Sequence, residues 1–188
     1  MDTLDAIKQR YSCRDFAPTP VPAATLHQIG AAGLHAPSAV NRQPWRIITV
    51  ADPALIAEFE RAGLAALQAR DKEGYDRVMG RGGRILYGAT AVVIIARATE
   101  ASNYSKYDVG IVAAHIALAA TALGVDNVVA AMPGGALTVP GSEDLARRLG
   151  IPEGFEFGLS VLLGYAAGAP GAQHAVDLNK LIEVRDAR

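Results

Sequence analysis

The sequence predicts an α+β protein: a three-layer α/β/α sandwich around a mixed central sheet, in a single domain over residues 1–188. Three observations predict it. Trp45-Arg46-Ile47-Ile48-Thr49-Val50 is a run of β-branched and aromatic residues that reads as the first core strand. Residues 89–96, Ala-Thr-Ala-Val-Val-Ile-Ile-Ala, are continuously apolar, as a strand covered on both faces requires. Residues 108–123 are rich in alanine with few polar residues, which reads as a buried, closely packed helix. Strands and helices alternate without a strict βαβ repeat, and neither an internal repeat nor a domain boundary interrupts them.

The elements follow in order. Leu4, Ile7 and Tyr11 recur at helical spacing and place the segment around Arg10 and Arg14 at the end of a first helix. Pro18, Pro20 and Pro22 break that helix and force an extended crossing. A second helix starts at Thr25, carries Leu26, Ile29, Ala32 and Gly33 on one face, and ends near Pro37. After the Trp45 strand, Asp52-Pro53 opens an amphipathic helix through Leu55, Phe59, Leu64 and Leu67. Residues 68–84 turn charged and glycine-rich and read as a loop or lid inserted on the fold. Beyond the alanine-rich helix come a strand at 125–131, a helix opened by Ser142 and closed at Gly150, a strand at 157–163, and a short apolar run at 181–184.

Composition narrows the function classes. Half of the 188 residues are hydrophobic and a fifth are charged, a globular balance. The formal charge is −1 with acids and bases interspersed, so no basic stripe supports nucleic-acid binding, and any anion site is built locally from a few arginines. The first residues lack the apolar stretch of a signal peptide, and no apolar segment is long enough to span a bilayer; a cytoplasmic, soluble protein is the expectation. One cysteine leaves no intramolecular disulfide, and four scattered histidines show no metal-ligand spacing. Neither a phosphate-binding Gly-Lys-Ser/Thr loop nor a strand-linked Gly-x-Gly-x-x-Gly is present.

Two blocks carry chemistry. Arg10-Tyr11-Ser12-Cys13-Arg14-Asp15-Phe16 sets two guanidinium groups around a hydroxyl, a donor set suited to a phosphomonoester. Pro37-Ser38-Ala39-Val40-Asn41-Arg42-Gln43-Pro44-Trp45 is a turn whose hydroxyl and amides can address the edge of a heteroaromatic ring. In this order and spacing the pair resembles the flavin mononucleotide (FMN) signature of the nitroreductase family. Leu149-Gly150-Ile151-Pro152-Glu153-Gly154 followed by Leu162-Leu163-Gly164-Tyr165 extends the likeness to the family's late helix, turn and strand.

The resemblance implies a nitroreductase-like fold, an interlocked homodimer with shared FMN sites, and no catalytic side chain, the chemistry being FMN's. It implies a ping-pong cycle in which NADH or NADPH donates hydride and a small nitroaromatic, quinone or related acceptor takes it. Arg10 and Ser12 would hold the phosphate side, Tyr11 between them would belong to the cofactor site, and Arg14 would lie near the ribityl chain or the ring. Pro37, Ser38, Asn41 and Gln43 would reach the flavin across the dimer interface. Pro133, Gly134 and Gly135 occupy the place where the family presents backbone N–H groups to the ring, a role that glycine's missing side chain suits. Arg84, with Arg81 as the alternative, would supply the base beside the pyrimidine. The family's C-terminal basic pair is replaced here by His174, Lys180 and Arg185 in another pattern, with Lys180 the candidate to complete the phosphate site. Two other readings stay open: a flavin-binding relative with a specialised substrate (dehalogenase-like or flavin-destructase-like), and a non-catalytic flavin-binding dimer.

Overall fold

The computed structural model describes residues 1–169 and 175–184. Five strands form the sheet: β1 (Phe16–Ala17), β2 (Trp45–Val50), β3 (Ala91–Ala98), β4 (Asp126–Ala130) and β5 (Phe155–Ala166). Among the described residues six α-helices surround it: α1 (Thr3–Gln9), α2 (Ala23–Gly33), α3 (Pro53–Arg70), α4 (Lys72–Met79), α5 (Ser105–Ala122) and α6 (Glu143–Arg148).

The pleat of β3 explains the layers. Val92, Ile94 and Ala96 face one core, with Ile56, Phe59 and Leu67 of α3 and Leu145 of α6. Ala91, Val93 and Ile95 face the other, with Leu26 and Ile29 of α2 and Val112, Ile116 and Ala120 of α5. A strand that buries both sets must be apolar throughout, which is why residues 89–96 show no alternation. The three-layer sandwich follows.

The sheet itself differs from the mixed one expected. Every strand pairing is antiparallel: β2 with β3, β3 with β5, β4 with β5, and β1 with the end of β5. Among the described residues, parallel pairing is confined to an isolated bridge between Ser12 and Asn127. The physical reason is an insertion. β3 and β4, joined through α5, run in the same direction as a crossover demands, but β5 lies between them and runs against both.

The expected start holds at α3, whereas α2 begins at Ala23, two residues before Thr25, and Ser142 makes no capping hydrogen bond to α6. Asp52 caps α3, accepting from the N–H of Ala54 at 2.8 Å, and Pro53 takes the first helical position, where its missing N–H costs nothing. Residues 68–84 are not the loop expected. α3 continues to Arg70, and Asp71 then caps α4 by accepting from the N–H of Gly74 at 2.8 Å. Tyr75 and Val78 of α4 pack on the core, so the charged residues occupy the outer face of a helix. On α1, by contrast, Ala6 is the buried residue, while Leu4 and Ile7 are 64% and 52% exposed. The run at 181–184 joins no strand among the described residues, and Leu181, Ile182 and Val184 are 67%, 82% and 94% exposed. No helix among those residues is long and apolar enough to cross a membrane.

Candidate functional site

The first block leaves α1 in extended conformation at Arg10 and is pinned at two points. The Cys13 N–H donates to the Asn127 carbonyl on β4, and the Phe16 N–H donates to the Tyr87 carbonyl, both at 3.0 Å. Asn127 is itself held from behind, its amide donating to Ala117 O and Thr121 Oγ1 at 3.0 Å each. Extended backbone alternates its side chains, so Cys13 is buried while Arg14 stays exposed. Burial pushes the Cys13 thiol above its ordinary range, which disfavours the thiolate a nucleophile needs. The Tyr11 hydroxyl is buried without a hydrogen-bond partner; burial, reinforced by the Asp126 carboxylate, keeps the phenol protonated far into the alkaline range. Tyr11, Ser12, Arg14 and Asp15 line a cavity of about 330 Å³ together with Ala166 at the end of β5 and Gly168 just beyond it.

Arg14 also lines a second cavity, of about 280 Å³, with Arg77, Arg81, Arg84, Asp71 and Tyr87. Its far side is Met132, the residue before Pro133. Arg84 is paired with Asp15 at 2.9 Å. The turn behind it is fixed by Glu60 of α3, whose Oε1 accepts from the N–H groups of both Ile85 and Leu86. Pro133, Gly134 and Gly135 form a buried 3₁₀ turn. A Cβ on Gly134 would lie 2.3 Å from the Phe157 ring, so packing beneath the turn already demands glycine there.

The second block is organised by its own polar groups. Ser38 Oγ accepts from the Gln43 N–H, and Gln43 Nε2 donates to Asn41 Oδ1, both at 2.9 Å. Val40, Asn41 and Gln43 have φ of 48°, 55° and 49°, a region unfavourable for side-chain-bearing residues and for β-branched Val40 above all. The strained turn is anchored by Asp108, only 4% exposed, which accepts from the Ala39 N–H at 3.0 Å. Asp108→Ala is expected to destabilise the protein by about 1–3 kcal/mol, because it strands that N–H. Asp108→Asn keeps an acceptor and should cost less; urea unfolding of the two variants checks the order.

The structure thus brings together Tyr11, Ser12, Arg14, Arg84 and the turn that begins at Met132. It places the remaining candidates elsewhere in the protomer. Gln43 lines a separate cavity of about 410 Å³ with Ala39, Arg46 and Asp108, beside Ser38 and Asn41, and Pro37 is exposed. Arg10 faces an apolar groove on α5 instead of the Ser12 cavity. Lys180 sits in a single 3₁₀ turn of the exposed tail and lines none of these cavities. His174 and Arg185 lie outside the described residues. Sequence reasoning missed Glu60, Arg77 and Asp108. Asp108 did carry a signal, as an acid at the start of an otherwise apolar helix; Glu60 and Arg77 stand among many surface charges and carried none.

The model of the nitroreductase family matches residues 7–165, from within α1 to the end of β5, and the chain belongs to that family. A nitroreductase from Desulfitobacterium hafniense, solved with bound FMN, is 40% identical and superposes with a TM-score of 0.92 over 98% of this chain and 100% of that one. An FMN-bound nitroreductase from Bacteroides fragilis, 25% identical, gives 0.88 over 98% and 100%. An NADH dehydrogenase of Thermus thermophilus is 48% identical over 54 residues, 29% of this chain and 26% of that relative's length.

Proposed function

We propose that this chain is an FMN-dependent NAD(P)H oxidoreductase, working as a cytoplasmic homodimer on nitroaromatic, quinone or related small acceptors. The observation that carries the reading is the convergence of Ser12, Arg14 and Arg84 on two adjacent cavities that share Arg14. A hydroxyl and guanidinium forks suit a phosphate and the polar edge of a flavin in number and charge. With FMN held there, the site would supply two-electron transfer from NADH or NADPH to the acceptor in two successive half-reactions.

The protein's part is binding, orientation and field. Ser12 and Arg14 donate hydrogen bonds, with Tyr11 lining the same cavity; Arg10 and Lys180, which stand outside it in the protomer, would have to move to join the phosphate side. Arg14 and Arg84 put positive charge into a partly enclosed cavity, which favours electron uptake by whatever is held in it. Gly135 would offer its backbone N–H from a turn too well packed to shift, since Pro133 has none and the Gly134 N–H is donated to the Ala131 carbonyl. Pro37, Ser38, Asn41 and Gln43 would complete the site from a second protomer, in keeping with their absence from the two cavities that Arg14 lines. Two surfaces support the dimer: an apolar groove of about 390 Å³ on α5, lined by Ile7, Leu118, Val129 and Leu159, and the exposed apolar tail.

The test is an absorbance spectrum of purified protein, followed by anaerobic addition of NADH and NADPH. A flavin band that bleaches with either donor and returns with a quinone is the expected result. Protein that is colourless and takes up no added FMN would overturn the assignment.

A further inference from the structure

We infer that Arg77 and Arg81 form a subsite for an anionic group on the electron acceptor, so that the enzyme favours acidic aromatic acceptors over neutral ones. The inference rests on the flavin reading of the site and names the class of substrate that reading leaves open.

A chain of net charge −1 gathers four guanidinium groups, from Arg14, Arg77, Arg81 and Arg84, around one cavity of about 280 Å³ with a single lining carboxylate, Asp71. That concentration is self-repulsive unless an anion joins it. The flavin reading engages Arg14 and Arg84, and Arg84 is further balanced by Asp15. Arg77 and Arg81 are surplus to it. Arg77 meets Asp71 at 3.7 Å and Glu73 at 3.9 Å, through side chains about half exposed or more, so these are weak, screened pairs. Arg81 has no ion pair among the described residues.

The two surplus arginines lie one helical turn apart, on α4 and the turn that follows it, and both border the cavity. Two forks at that spacing can address one carboxylate or sulfonate. Leu67, Val78, Tyr87 and Met132 supply apolar wall beside them, which suits an aromatic ring carrying the charge.

The experiment uses FMN-loaded enzyme with saturating NADH and compares kcat/KM for 4-nitrobenzoate and for neutral 4-nitrobenzyl alcohol. The native enzyme is expected to favour the benzoate, and the preference to shrink as salt is raised. Arg77→Gln should lower kcat/KM for the benzoate by about tenfold, the scale of one charge-assisted hydrogen bond, through KM more than kcat. Turnover of the alcohol should not change, and Arg77→Lys should recover part of the loss. An equal effect on both acceptors, or none on either, overturns the subsite. So does a rise in KM for NADPH with the benzoate unaffected, which assigns the charge to the donor. Weaker FMN binding in Arg77→Gln would show that the arginine serves the cofactor and overturns it as well. Protein that holds no FMN is recognised from its spectrum before any acceptor is added, and removes the flavin reading together with this one.

Discussion

Replacing Phe59 with alanine is expected to lower the unfolding free energy by about 3–5 kcal/mol. Phe59 is the bulkiest of the fully buried side chains, at 0% exposure, in the core between α3 and the sheet. It has no polar atom to rescue by hydration, and its neighbours Ile94, Leu86 and Leu162 are themselves immobilised by packing. The cavity left behind would collapse only in part, so lost transfer energy and lost contacts add. A loss of that size is about a fifth or more of a typical domain's total stability. Urea unfolding followed by circular dichroism, at fixed protein and FMN concentration, measures it; both must be held constant because bound ligand and partner shift the apparent stability. Ile56→Val on the same helix is the control, at about 0.5–1.5 kcal/mol. A Phe59→Ala loss under 1 kcal/mol would contradict the packing of α3 against β3.

Arg14→Ala is expected to weaken FMN binding by about 10- to 100-fold, corresponding to one or two hydrogen bonds from a charged donor. The reason is its position: Arg14 borders both the Ser12 cavity and the arginine-rich cavity, so its loss opens the junction between them. Arg84→Ala should weaken binding less, since its guanidinium is already committed to Asp15. Arg14→Lys retains charge without the planar fork and should fall between. Titration of the apo-protein with FMN, read by flavin fluorescence, ranks the three. An unchanged dissociation constant for Arg14→Ala would remove Arg14 from the cofactor site.

What the sequence disclosed, and what it hid, divides along the range of the interactions concerned. Trp45–Val50 was legible to the residue, because β-branched composition ends abruptly at a proline on one side and a helix cap on the other. The doubly covered strand was legible from its unbroken apolar run, within two residues of Ala91–Ala98. α4 was hidden because its charges and Gly74 outweigh two core contacts, Tyr75 and Val78, in any local count. The order of strands was hidden for a different reason. Nothing within β5 announces that it will lie between β3 and β4, since such a choice is made by distant partners. The site shows the same split. Ser12 and Arg14 sit on one extended segment, so their spacing already places them together. Arg10 is turned away by the end of α1, and Ser38 and Asn41 stand on a separate turn that no spacing rule could place.

The position of β5 has a consequence for synthesis. Reading from the N-terminus, a ribosome delivers β1, β3 and β4 before the strand that joins all three. Until residues 155–166 emerge, β3 has β2 on one edge and nothing on the other, and both apolar faces of the nascent sheet lack their full cover. Long-range pairing of this kind forms slowly, and half-made sheets with open edges are prone to associate with one another. The nascent chain is therefore expected to be more prone to association, and to gain more from a chaperone, than the finished protein's close packing would suggest.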